Sequence, residues 1–248
     1  MFARLQPHML TKERGTPEPA PRYTSDRLST GIQEMPTCIT IQNEAGVTYF
    51  RPGGRDPLFW CFQVVRGKAN DVETREERSF QREQTLKADA VSKLRLVTDA
   101  RTDSARRKLA EAEGELCARQ FTRGHGLEAL AKAYDLSILY VSGRTCCGMG
   151  PVPDADGFAA IIRRVGSRNS RRHEVLTGEQ VPEEVARMLN STWRMESWTK
   201  PLRGISSYSL VELRSMAEAA GLQTTDAAGK KLKKADLYAA LGALSKQN

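Results

Sequence analysis

LEALAKAYDLSILYVSGRTCC, residues 127–147, holds the change of periodicity on which the fold rests. Leu127, Leu130, Ala131 and Tyr134 recur at the three-and-four spacing of one helix face, and from Ser137 to Val141 the chain turns to strand-forming residues. A helix running straight into a buried strand marks a mixed domain. The expected class is therefore an α+β or α/β globular domain with long helices.

Upstream, RPGGRDPLFWCFQVVRG (51–67) supplies the expected centre of the core. Pro52, Gly53 and Gly54 interrupt regular structure, and Asp56 followed by Pro57 is a helix opening, a capping side chain and then a first-turn proline. Leu58 to Val65 is almost wholly apolar and concentrates Phe59, Trp60 and Phe62 in a chain with only 6% aromatic residues, which predicts a buried helix. Before it, CITIQ and VTYF flank the turn segment NEAG, a hairpin pattern. After it, Arg75 to about Arg119 reads as long amphipathic helix. Leu86, Ala90, Leu94 and Val97 form one stripe and Ala105, Leu109, Ala112 and Leu116 another, with a break near Thr98 to Ser104.

Downstream, GMGPVPDADG (148–157) reads as a loop. Phe158 to Val165 is a short helix or strand, His173 to Leu176 a strand, and Pro182 to Trp198 a helix. The first 35 residues, with Pro7, Pro17, Pro19 and Pro21 among charged and small polar groups, read as a disordered tail. The expected organisation is that tail, a globular domain over 36–198, a linker over 199–207, and a small all-α helical hairpin over 208–248.

Composition narrows the function classes. The 248 residues carry 38 Lys+Arg against 30 Asp+Glu, a formal charge of +8 that accommodates a polyanionic partner without proving one. No apolar run approaches the roughly 18–20 residues of a membrane-spanning helix, and the N-terminus has no apolar signal core. Five cysteines, an odd number, do not make a disulfide framework. An intracellular setting, cytosol or nucleus, is expected, with no membrane partner. P-loop, HExxH and EF-hand patterns are absent, so no cofactor is expected. Cys146 and Cys147 are adjacent, without the spacer that lets two thiolates share a tetrahedral zinc, and no metal site is assigned.

The C-terminal segment is the most readable. Ser209 and Glu212 have capping-box spacing, Leu210, Leu213, Ala217 and Ala220 form a stripe, and Gly221 stands at a helix C-cap. A second helix starts near Lys234 with Leu237, Leu241 and Leu244 on one face, preceded by Lys230, Lys231 and Lys233. This segment resembles the SAP motif and the related helix-extended-loop-helix of bacterial Rho factors. The resemblance implies a hairpin presenting lysines and helix N-termini to phosphates. Arg214, Lys230, Lys231, Lys233 and Lys234 are then the candidate nucleic-acid contacts, with DNA the favoured partner. The inter-helix loop, 223–233, is longer than the motif's. A protein-docking hairpin or a solvated face would also carry such lysines. Arg163, Arg164, Arg168, Arg171 and Arg172 would extend the footprint if they share a face, since the guanidinium fork binds oxyanions bidentately.

The chain as a whole, from DPLFWCF through the long helices to the SAP-like end, is similar to uncharacterised proteins of large nucleocytoplasmic DNA viruses, which implies a viral origin. LEALAKAYDLSILYV also looks like the helix-strand segment of ovarian-tumour (OTU) type cysteine proteases. In that order Cys61 near a helix start would be the nucleophile and His173 on a later strand its base. This chain lacks the family's Asp-Gly-Asn lead, and apolar neighbours around Cys61 favour an inert core thiol. The expectation is a non-enzymatic, nucleic-acid-associated protein whose globular domain recruits a protein partner; the alternatives are a papain/OTU-like hydrolase, active or not, and a virion structural or interaction protein.

Overall fold

A buried charge cluster anchors the helical layer of this α+β fold. The computed structural model describes residues 38–67, 79–99, 101–118, 121–151, 157–166, 172–225 and 229–245. The expected tail lies outside them. Strands β1 (Ile39–Gln42) and β2 (Thr48–Arg51) form the expected antiparallel hairpin, its turn held by Asn43 Oδ1, which accepts from the backbone N–H groups of Ala45 and Val47. Helix α1 (Pro57–Val65) opens on Asp56, whose carboxylate accepts from Phe59 N at 3.2 Å. Leu58 through Val64 are all buried, as a helix without a polar face requires.

Helices α2 (Phe80–Val97) and α3 (Asp103–Cys117) start on the Ser79 and Thr102 side chains, which cap the N–H groups of Arg82 and Ala105. The break between them falls where the apolar pattern fades. Helix α4 (Gly124–Ala133) receives no cap from its own N-cap residue. Glu115 of α3 takes that place, accepting from Arg123 N and Gly126 N at 2.8 Å each. Burial raises the Glu115 carboxyl, and those two N–H donors oppose the rise.

The remaining strands are β3 (Ile138–Ser142), β4 (Thr145–Met149), β5 (Ala160–Val165), β6 (Arg172–Thr177) and β7 (Trp193–Arg194). Seven strands form one mixed sheet in the order β1-β2-β6-β5-β3-β4-β7, with β3/β5 and β4/β7 parallel and the other pairs antiparallel. Helix α5 (Val181–Ser191) covers one face with Val181, Val185 and Met188 against Leu139, Val141, Ile161 and Leu176. The opposite face carries α1–α4 against Ile138, Tyr140, Ile162 and Val175. Helices α6 (Leu210–Ala219) and α7 (Lys234–Ser245) join this second core through Leu213, Ala217, Leu237 and Leu241.

Several elements differ from the sequence reading. Residues 148–149, read as loop, complete β4, because pairing with Ile138 and Leu139 holds them extended. The helix expected to Trp198 ends at Ser191, where the Ser191 and Thr192 hydroxyls bond back to Arg187 and Met188 carbonyls; Trp193 then joins the sheet beside Thr145. Leu210, placed on the buried stripe of α6, is exposed. Segment 199–207 carries its own contacts: Leu202 is buried, Arg203 pairs with Glu196, and the Tyr238 hydroxyl donates to Arg203 O at 2.7 Å.

Between α1 and α2 lies a charge cluster with almost no solvent. Lys87, 2% exposed, reaches Asp56 Oδ2 at 2.7 Å and Glu83 Oε1 at 3.0 Å. Asp56 Oδ2 also accepts from Thr122 N and Thr122 Oγ1, at 2.8 Å each, and Glu83 Oε2 from Trp60 Nε1 at 3.0 Å. Removing the cation strands two carboxylates in the core. Lys87→Met is expected to cost about 3–5 kcal/mol in urea unfolding, and adding Glu83→Gln to recover part of that loss; a single variant as stable as the parent contradicts the assignment.

Candidate functional site

The C-terminal helix pair is built from local signals. Ser209 Oγ accepts from Glu212 N at 3.1 Å while the Glu212 carboxylate accepts from Ser209 N at 2.6 Å, the reciprocal capping box. That backbone N–H holds the Glu212 carboxyl below its ordinary value, with nearby Lys234 adding to the effect. Helix α6 ends at Gly221, with φ at +68°, a left-handed conformation suited to glycine. The Arg144 side chain from the β3–β4 turn packs there so closely that a Cβ at Gly221 would lie 2.6 Å from its Cδ.

After Gly221, Thr225 makes an antiparallel bridge to Lys231 and Leu232 N donates to Thr224 O, which sets the residues on either side of the loop against each other. The two helices consequently start side by side. Tyr208, just before α6, lies 6.5 Å from Tyr238 in the first turn of α7, centroid to centroid. Lys230, Lys231 and Lys233 are exposed at the end of this loop, and Lys234 opens α7 half-buried. Among the described residues no carboxylate is within ion-pair distance of Lys231, Lys233 or Lys234. Arg214 sits apart in character. It is half-buried on α6, and its Nε is buried without a hydrogen-bond partner.

The arginine group divides. Arg163 and Arg164 are consecutive on β5, so their side chains leave opposite faces. Arg163 lies with its partner Glu174 on the α5 side, at 2.7 Å, and stacks on the Tyr49 ring at 3.6 Å. Arg51 pairs with the same carboxylate. Arg172, in register with Val165, shares the face of Arg163, whereas Arg164 is opposite His173 on the other face. Arg168 and Arg171 lie outside the described residues. Beside this cluster the Tyr49 hydroxyl donates to Glu184 at 2.6 Å, and Arg187 closes on Glu184 at 2.6 Å. Burial alone would raise the Glu184 carboxyl, but the hydrogen bonds from Arg187 and Tyr49 outweigh it and hold it low. Arg163 is thereby committed to internal partners.

Cys61 falls in the middle of α1, not at its start, and is fully buried. Burial pushes its thiol well above the ordinary range, and the carboxylates of Asp56 and Glu174 push the same way. His173, 7% exposed, has Nε2 3.3 Å from the Tyr140 hydroxyl, whose own pKa burial raises to about 12. Trp198 packs edge-on against Tyr140 at 5.6 Å. Cys146 and Cys147 sit on opposite faces of the sheet, the first in the α5 core and the second in the helical-layer core. Among the described residues no group of three or more His, Cys, Asp or Glu side chains is placed to hold a metal ion.

The residues that sequence reasoning missed are Glu83 and Lys87. A signal for them exists: spaced as 83, 87, 90 and 94, they fall on the same face of α2 as the buried Ala90 and Leu94. Opposite charges four apart on an apolar face announce a partner elsewhere in the chain.

No family model matches the chain, and no curated protein or solved structure is significantly similar to it. No helix among the described residues is long and apolar enough to cross a membrane.

Thiol reactivity checks the electrostatics of Cys61. Under native conditions iodoacetamide is expected to modify the exposed Cys117 and to spare Cys61, Cys146 and Cys147 until urea unfolds the chain. Native labelling of Cys61 faster than Cys117, lost in His173→Ala, would show an activated nucleophile instead.

Proposed function

We propose that this is a non-enzymatic, intracellular nucleic-acid-associated protein, possessing in its C-terminal helix pair a SAP-like phosphate-contacting surface, with duplex DNA the favoured partner. The observation that carries the reading is the lysine group ahead of α7: Lys230, Lys231 and Lys233 are exposed, and no carboxylate among the described residues is within ion-pair distance of Lys231 or Lys233. Ammonium groups beside a helix N-terminus favour an anion on two counts, point charge and helix dipole. Lysines close to a helix N-terminus are what the SAP resemblance implies, although the inter-helix loop, 223–233, is longer than the motif's. The overall charge of +8 adds long-range attraction to a polyanion. Glu212 and Asp236, in the first turns of the same helices, moderate the field. A virion or an infected cell, in cytosol or nucleus, is the setting proposed for this role.

A second reading has its own observation. Val211, 74% exposed, stands with exposed Ile205 and Leu210 at the start of α6, an apolar group that suits a protein partner and a structural or interaction role.

Because Leu213, Ala217, Leu237 and Leu241 belong to the main core, truncating the hairpin would damage the fold, and side-chain replacement is the sound test. In fluorescence anisotropy with a short duplex, affinity is expected to fall linearly on a log–log salt plot. Replacing Lys231, Lys233 and Lys234 by Gln is expected to weaken binding evenly across sequences and to flatten the slope by about one per lysine. Affinity indifferent to salt, or unchanged in the triple variant, sinks this reading. Binding lost instead in Val211→Asp, with a protein partner, supports the second.

A further inference from the structure

We propose that the groove between α2, α3 and α4 is a binding site for a free medium-chain aliphatic carboxylate, with its chain on Leu94, Val97, Leu109 and Ala129 and its head group at Lys108. The site is independent of the nucleic-acid reading. Its cavity of about 310 Å³ lies at the lower end of the roughly 300–1,000 Å³ range of small-molecule pockets.

The apolar stripes of α2 and α3 explain why the groove exists. Their inner halves, Ala90 and Leu94 on one helix and Ala112 and Leu116 on the other, are buried in the core. Their outer halves run on past it. Val97 is 54% exposed, and Leu109 and Ala105 are half-buried, so apolar surface lines a concavity that no described side chain fills. Ala129 and Ala133 of α4 form the floor, and their small side chains leave the space. No Phe, Tyr or Trp occurs among the described lining residues, and the one ring there, the His125 imidazole, faces Glu111; the apolar wall is aliphatic and suits a flexible alkyl chain.

Charge at the rim selects the head group. Lys132 is neutralised by Glu128 at 2.6 Å, and His125 faces Glu111, with Nδ1 to carboxylate at 3.7 Å. Lys108 has no carboxylate partner among the described residues. Among the described lining residues the charge without a carboxylate or cation partner is therefore the positive Lys108, and Thr98 and Thr199 add hydroxyl groups. An alkyl body with a single anionic end satisfies both the lining and the rim.

Calorimetric titration of the full chain with decanoate, decanol and decyltrimethylammonium tests the site. Decanoate is expected to bind with one ligand per chain and at least about tenfold more tightly than the ammonium. Lys108→Glu is expected to weaken decanoate by a similar factor while leaving decanol unchanged. Ala105→Trp, at a partly exposed position, fills the mouth and is expected to abolish both; Ala129→Phe serves if the first filler unfolds, with the thermal midpoint as the check. Equal affinity for the ammonium, an unaffected Lys108→Glu variant, or undiminished binding in a folded filler variant overturns the proposal. So does the absence of saturable binding at about 1 mM decanoate. Failure of wild-type decanoate binding alongside tight capture of an acidic amphipathic peptide would reassign the groove to a helix, and likewise overturns it.

Discussion

Lys87 is the cation that the helical layer cannot do without. Its ammonium donates to both Asp56, which starts α1, and Glu83 on its own helix, and Asp56 reaches further to the Thr122 backbone and hydroxyl ahead of α4. Three helices are thus referenced to one buried carboxylate. Such a cluster contributes little net stability over a well-packed apolar substitute, because desolvating the charges offsets their attraction. What it supplies is orientation. An apolar α1 buried on all sides could slide or rotate among equivalent packings, whereas Asp56 fixes the helix start against two specified neighbours. Trp60, donating to Glu83, adds a second fixed point one turn on.

Strand alternation decides the fate of the chemically suggestive residues. A guanidinium on β5 at Arg163 reaches the α5 side and is held by Glu174, while Arg164 faces the other way. The same alternation separates Cys146 from Cys147. Cluster density in sequence therefore does not translate into cluster density in space: the three described arginines, Arg163, Arg164 and Arg172, divide between opposite faces. The lysines at 230–234 lie outside that sheet, ahead of α7 and at its start.

Integration of the helix pair into the main core also bears on function. Leu213 and Ala217 of α6 and Leu237 of α7 are buried in the same cluster as Trp193 and Leu202, and Arg144 packs over Gly221. Any polyanion contacting the lysines meets them on a surface whose orientation relative to the sheet is fixed. Rigid presentation reduces the ordering cost of association compared with a module on a loose tether.

Short-range physics was readable along the chain. Capping at Asp56 and Ser209, the β1–β2 hairpin, the two stripes of α2 and α3 and the buried aromatic helix each depend on residues within a few turns of one another. The mixed α+β class follows from the switch of period after Tyr134. Long-range partners decided the rest. Lys87 finds Asp56 at a separation of 31 residues and Thr122 finds it at 66, so a charged pair on an apolar helix face acquires meaning only on folding. β4 and β7 are too short and too mixed to announce themselves, and exist because neighbouring strands supply their hydrogen bonds. For the candidate surface, sequence named the lysines, but the exposure of Lys230, Lys231 and Lys233 is set by how the residues ahead of α7 pair with Thr224 and Thr225. Local periodicity is written into neighbouring residues, whereas burial and side-chain partnership are properties of the whole packed chain.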